Sequence, residues 1–442
     1  VVVKRTRLNQ QQDEQKRAEM NKREYRAWKK KWNETEKHCI RGGSRICKMF
    51  IRKVHKEDEF RIYWTYYLDT IIKLLELNPE VASTGITCLQ EIAQSSDFIY
   101  CCSQDGRYWT EIINCYESMI RNVGHKEYEI MTSRKFNVPN LTEINNSDHN
   151  HSNINPEPLS LPFADVCDVM MESIRDLLNP EMPSRKLFML TQIEKLLNNL
   201  DFLISDKDLE NNMKDQPLEI LDARLVRLKK LLLIYEQLPP LAPSIAKPVI
   251  SKIASYLTYV SKCCHCYHHY ASKVKNSNNK PETPKKGITR LTLSEKSLLR
   301  KTEKTMDFVS KRAINLLNQF YSIHIPHELK VECFEIVING ISTIMDPFLC
   351  PIQVVTNAIR GFEDVCKTGL PQFSAAHSRT NPNHSESTEL ENANGNKHRL
   401  SNVESLRVWS VLGDVVSIAF RLQHHTNDSF PSSSQSNKPS LY

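Results

Sequence analysis

Residues 32–47 read W-N-E-T-E-K-H-C-I-R-G-G-S-R-I-C, residues 60–68 read F-R-I-Y-W-T-Y-Y-L, and residues 78–93 read N-P-E-V-A-S-T-G-I-T-C-L-Q-E-I-A. In each stretch apolar side chains recur three and four positions apart, which lays them along one face of an α-helix. Tyr63, Trp64, Tyr67, Leu68, Ile71, Leu74 and Leu75 follow this rule most fully. Asn78-Pro79 divides the second stretch from the third, because proline disfavours helix at the residue before it and suits the first turn of the next helix. Three amphipathic helices in succession, with short breaks and no alternating strand pattern, read as helical hairpins stacked on one another.

The same periodicity runs outward from this block. Helices are expected over residues 33–54, 58–77, 79–94 and 105–122, then 162–178, 184–204, 218–238 and 243–270, and finally 294–321, 327–345, 352–368 and 402–423. On the first of these, Ile40, Gly43, Cys47 and Phe50 are expected to share one face. The organisation that follows is a polar basic arm at 1–27, disordered or loosely helical, then a first block of helical repeats at 28–131. A disordered insertion at 132–161 leads to a second block at 162–372, with a loop at 272–290. A further insertion at 373–401, a terminal helix at 402–424 and a disordered tail at 425–442 complete the chain. The insertions are rich in Asn, Ser, His and Pro, a composition that buries too little apolar area to offset chain entropy. Helix pairs recur every ~35–50 residues, as in HEAT and armadillo arrays. The expected fold is therefore all-α, an α-solenoid of HEAT/armadillo-like helical hairpins, with a compact helical bundle as the competitor.

Composition removes several classes. Only 11 of 442 residues are Gly, about a third of the usual frequency. Doubly wound α/β proteins and β-rich folds need glycine for phosphate loops and tight turns. No apolar run approaches the length of a transmembrane helix. The chain opens on Val, and K-R-T-R-L-N-Q-Q-Q-D-E-Q-K-R is neither a signal peptide nor a transit peptide; the reading is of a piece of a longer protein. The 13 Cys are scattered through apolar stripes rather than evenly paired, which points to buried thiols in a reducing, cytosolic setting.

No Walker-type or dinucleotide loop, G-x-S-x-G elbow, H-E-x-x-H pair or EF-hand loop occurs. No enzyme activity, cofactor or small-molecule substrate is expected. One cluster carries metal-ligand chemistry, Cys263-Cys264-His265-Cys266-Tyr267-His268-His269. Cys263 and Cys266 stand at C-x-x-C spacing with His268 and His269 beyond, a set that could hold zinc. No second ligand pair follows downstream, so a helix end with buried thiols is the leading reading. The net charge of +7 gathers toward the N-terminus, where Arg26, Lys29, Lys30 and Lys31 neighbour Trp28 and Trp32. These are a solvated helix face or contacts to an anionic membrane; nucleic acid is the lower alternative and is not expected. Within the aromatic run, helical spacing sends Trp64 and Tyr67 to the core and leaves Tyr66 as the candidate for exposure.

The opening block resembles a segment in the C-terminal half of the Mon-two (monensin-sensitivity) family, large trafficking scaffolds distantly related to the Arf exchange factors. That family has W-x-E-T, then F-x-x-x-W-x-x-L-L, then E-V-x-x-A-x-x-x-L-Q-E-I. Here Trp32, Glu34 and Thr35 match the first motif. Phe60, Trp64 and, with a one-residue slip, Leu68 match the second. Glu80 and Val81 match the start of the third and, with one extra residue between, Leu89, Gln90, Glu91 and Ile92 match its end, with Gly85 where the family has a small residue. Similar but vaguer pieces, Y-E-Q-L-P-P-L-A-P at 235–243 and V-S-K-R-A-I-N-L-L-N-Q-F-Y at 309–321, follow in the family's order. The resemblance implies a HEAT-like solenoid peripheral to trans-Golgi and endosomal membranes. It would act without catalysis in traffic between them, with Dopey-type and Arf-like proteins as partners. The matched residues would be repeat core. A C-terminal HEAT-type region of a large Arf exchange factor, or another helical-repeat adaptor, is the alternative.

Overall fold

A computed structural model of the chain describes residues 21–136, 163–204, 218–238, 243–278, 293–325, 329–346 and 348–374. The expected terminal helix at 402–424, the tail at 425–442, and most of the arm and the two polar insertions lie outside these residues. The described residues are all-helical, with no strand. They form α1 (Lys22–Val54), α2 (Asp58–Leu77), α3 (Pro79–Ala93), α4 (Ser96–Gln104), α5 (Arg107–Phe136), α6 (Ala164–Leu178), α7 (Leu190–Phe202) and α8 (Leu218–Tyr235). After them come α9 (Pro243–Asn278), α10 (Leu293–Gln319), α11 (Lys330–Ser342) and α12 (Ile352–Ser374). The chain divides into two compact units, Val1–Pro239 and Pro240–Tyr442.

The helix boundaries follow local chemistry. α1 begins at Lys22 rather than near residue 33, because Asn21 Oδ1 accepts from the backbone N–H groups of Arg23 at 3.2 Å and Glu24 at 3.0 Å. That cap satisfies two donors that a helix start otherwise leaves without partners. Tyr25, Trp28 and Trp32 then continue one stripe, with ring centroids 6.1 and 6.3 Å apart in sequence order. Asn78 closes α2, and Pro79 opens α3 in its first turn. The short α4 escapes the periodicity argument because it is only nine residues long, but its Ser95 cap is plain in the sequence. α5, α9 and α12 each run a few residues into segments expected to be loops, ending at Phe136, Asn278 and Ser374.

In the first unit α1 packs on α3, α3 on α6, and α6 on α8. Alongside, α2 packs on α5 and α5 on α7, with α2 also against α3. The core between these two rows is apolar and rich in aromatic residues. Trp64 of α2 is fully buried and meets Tyr67, Phe98 of α4 and Tyr108 of α5 at centroid distances of 6.2, 5.7 and 6.1 Å. The Tyr108 hydroxyl also donates to the His55 carbonyl, joining the start of α5 to the turn between α1 and α2. Ile51, not Phe50, fills the last turn of the α1 core face; Phe50 is 44% exposed. The face drifts because 3.6 residues per turn places 40, 44, 47 and 51 in line, and Ser44 sits buried in that line.

In the second unit α9 packs on α10 and α11, and α12 packs on both α10 and α11. Gly340 of α11 permits a close crossing with α9: a Cβ there would stand 2.8 Å from the Ala254 Cβ and 3.1 Å from its Cα. Gly340→Ala is therefore expected to lower the thermal unfolding midpoint. Overpacking costs about 1–3 kcal/mol, and the ~1 kcal/mol gain in helix propensity recovers only part of it. Moving the methyl across the crossing, Ala254→Gly with Gly340→Ala, should restore most of the loss. A single variant at least as stable as the parent would refute the crossing.

Candidate functional site

Among the described residues no group of three or more His, Cys, Asp or Glu side chains gathers as a metal site. The Cys/His cluster lies in the middle of α9, not at a helix end. Cys263, Cys264 and Cys266 are buried, while His265, His268 and His269 face solvent. The helix thus turns His268 and His269 away from Cys263 and Cys266, so these four candidate zinc ligands do not converge. Cys264 packs against the Met306 sulfur at 3.7 Å, and the neighbouring Cys350 together with burial keeps its thiol protonated. No described helix is long and apolar enough to cross a membrane.

What the structure assembles instead is a polar seam between α1 and α3, built from much of the sequence signature. Asn33 and Glu36 are buried in it. Asn33 donates to Glu80 at 2.8 Å, and Asn78 donates to Asn33 at 2.9 Å and to Glu36 at 3.1 Å. Lys37 bridges Glu80 at 2.7 Å and Glu34 at 3.0 Å. Farther along, Lys48 pairs with Glu91 at 2.7 Å, and Arg52 reaches Asp97 of α4 at 3.5 Å. Gln90 leaves the other side of α3 and donates to Asp176 of α6 at 3.1 Å.

The signature residues therefore divide into two groups. Phe60, Trp64, Leu68, Val81, Leu89 and Ile92 are core, as expected. Thr35, Glu80 and Glu91 are exposed, and Trp32, Glu34 and Gln90 are only partly buried. Glu80, Gln90 and Glu91 depart from the expected core because their charged and amide groups keep contact with water while clasping a facing helix, and Glu34 pairs with Lys37 of its own helix. Thr35 merely returns its hydroxyl to the Lys31 carbonyl at 3.0 Å. Arg26, Lys29, Lys30 and Lys31 are all exposed on the first turns of α1. Trp64 and Tyr67 are in the core, and Tyr66 is 69% exposed. Ile62, and Ile46, Met49 and Phe50 of α1, also present apolar side chains to solvent on this first hairpin.

One pair was not anticipated. Arg227 of α8 forks onto Glu127 of α5 with two 2.6 Å hydrogen bonds, the side chains only 3% and 9% exposed. Arg227 also donates to the Leu203 carbonyl at 3.5 Å. The signal was present: Arg227 falls on the apolar stripe of α8, between Leu225, Leu228 and Leu231. An arginine on such a stripe needs a buried carboxylate, but nothing in sequence says which one. Nearby, Lys230 reaches Asp168 at 3.0 Å and Glu172 at 2.9 Å on α6.

No protein-family model, curated protein or solved structure matches the chain.

Two stability tests follow from this geometry. Removing either member of the buried fork leaves an uncompensated charge, at a cost of about 3–5 kcal/mol. Glu127→Leu and Arg227→Met should each lower the denaturation midpoint strongly, and the two together should lose less than the sum of the single losses. Additive losses would contradict a direct pair. The second test concerns Lys37, which holds Glu34 and Glu80 below their ordinary carboxylate pKa of 4.5 through hydrogen bonding and charge. A depressed folded-state pKa gives stability that is present above the ordinary value and disappears as pH falls through the lowered one. The melting difference between the parent chain and Lys37→Met should therefore be seen at pH 7 and close below pH 4.5. A gap that is independent of pH would show that packing alone is lost.

Proposed function

We propose that this chain is a non-enzymatic scaffold, built as an α-solenoid of HEAT-like hairpins, that works in endosome–Golgi transport as part of a Mon-two-like protein. The observation that carries the architectural part is the order of helix packing in the first unit. Hairpin partners alternate between two rows, α1–α3–α6–α8 and α2–α5–α7, so that each helix leans on its counterpart in the next hairpin. The second unit supports the same reading, since α9 leans on α11 and α10 on α12. Repeat arrays stack in this manner because one hairpin cannot bury its own apolar faces.

The trafficking part rests on the resemblance in residues 32–94 and on surface chemistry suited to partners. The first hairpin exposes Ile46, Met49, Phe50, Ile62 and Tyr66, while Arg26, Lys29, Lys30 and Lys31 lie exposed at the N-terminal end of the same long helix. Aromatic and aliphatic anchors of this kind are what protein interfaces use. Dopey-type and Arf-like proteins are the proposed protein partners, with the anionic cytosolic face of Golgi and endosomal membranes as the peripheral contact.

The test is to express the tagged chain in cells, image it, and recover what binds. Co-precipitation of a Dopey-type protein and overlap with Golgi or endosomal markers are expected. Tyr66→Ser with Ile62→Ser should cut recovery several-fold while leaving the melting temperature unchanged, because both side chains face solvent. Nuclear or mitochondrial residence without these partners would sink the trafficking reading. Retention on nucleic acid that falls steeply with salt would replace it with a nucleic-acid-binding array.

A further inference from the structure

The α1–α3 seam contains a break in its charge pairing. Lys37 and Lys48 each meet a carboxylate of α3 across it, and Arg52 meets Asp97 of α4 just beyond. Arg41 and Arg45 lie between the first two, and neither makes an ion pair among the described residues. Opposite them α3 carries Thr84 and Thr87 in place of acids, and a pocket of about 190 Å³ opens there. Its rim is Arg41, Arg45 and Lys48 from α1, with Thr84, Thr87 and Glu91 from α3. Positions 41, 45 and 48 share one helix face, as do 84, 87 and 91. The floor is Ser44 and Cys88, both buried.

We propose that this pocket binds a phosphomonoester group, the chemistry shared by a soluble inositol phosphate and a phosphoinositide lipid headgroup. Charge supports the assignment. Three cations against the single carboxylate of Glu91 leave an excess of two positive charges at the rim, and a phosphomonoester carries about −1.5 to −2 near neutral pH. The Cys88 thiol adds no negative charge, because burial raises its pKa. Geometry supports it as well. Arg41 and Arg45 stand one helical turn apart on the rim, and each guanidinium can offer the N–H fork that suits phosphate oxygens. The Thr84 hydroxyl makes no hydrogen bond among the described residues, so it can donate to an oxygen. The acids flanking the pocket already hold cations of their own, Glu34 and Glu80 with Lys37 and Asp97 with Arg52; Arg41 acts on Glu34 through charge alone, without an ion pair. The inference stands independently of the trafficking reading.

The test titrates the full chain with inositol trisphosphate by calorimetry and adds flotation on vesicles. Saturable micromolar binding is expected. Arg41→Gln with Arg45→Gln should weaken it about tenfold or more, as the loss of charge-assisted hydrogen bonds requires. Arg41→Lys with Arg45→Lys keeps the charge but loses the forks and should weaken it several-fold. Glu91→Gln removes the opposing carboxylate and should tighten binding several-fold. Arg41 and Arg45 are exposed and make no ion pair among the described residues, so circular dichroism and melting of their variants should match the parent; Glu91→Gln also gives up the Lys48 clasp, so circular dichroism checks that its helix content is unchanged. Flotation on phosphoinositide vesicles beyond that on phosphatidylserine vesicles of equal charge, lost in the Gln pair, identifies the lipid as the source. Calorimetric binding with equal flotation on both identifies the soluble phosphate. No saturable heat, binding indifferent to the Gln pair, or no tightening with Glu91→Gln would overturn the proposal.

Discussion

Each helix here carries an apolar face that it cannot cover itself, and only its neighbours in the fold keep that face from water. Trp64 shows how strongly this constraint acts. One indole is closed off by a residue of its own helix, by Phe98 of α4 and by Tyr108 of α5. Three elements that are consecutive or nearly so in sequence must therefore be in place together. The apolar area buried in this way supplies the main favourable term, and the direction of each helix follows from which neighbours can reach its stripe. Because the neighbours are close in sequence, the packing is local, and the short connections at Asn78-Pro79 and Ser95 suffice to turn the chain.

Polar groups refine this arrangement at its margins and, in one place, at its centre. The clasps of the α1–α3 seam lie where charged ends remain wet, so each adds little alone; what they contribute is register, since Lys37 and Lys48 each meet one acid on the facing helix. The Arg227–Glu127 fork is different. It is dry, bidentate and joins α5 to α8 across a long sequence interval. Buried pairs of this kind add little net stability compared with an apolar pair of the same shape, but losing one partner is costly. The same distinction explains why the break in the seam at Arg41 and Arg45 stands out. Elsewhere on the seam charge is answered by charge; there it is answered by hydroxyls and open space.

Much of the fold was legible. The inward residues of α2, α3 and α5 are those that helical spacing selects, and Trp64, Tyr67 and Tyr66 fall on the sides that their positions in the turn require. Boundaries were less legible where a single cap or a short stripe decides them, as at Asn21 and in α4. The Cys/His cluster illustrates another limit. Six Cys and His residues within seven positions look convergent on paper, yet the helix puts the thiols in the core and the imidazoles in water.

By itself the sequence determined that the described residues are helical, where most of the helices run, and which stripe of each turns inward, because these follow from 3.6-residue periodicity, proline and capping groups acting within a few residues. Only the tertiary structure decided that α1 meets α3 and α2 meets α5. It also decided that Arg227 finds Glu127 and that Glu80 and Glu91 clasp a seam rather than fill a core. These depend on which surfaces come together across tens of residues, and a side chain's partner there is set by shape and charge in space, which no local pattern records.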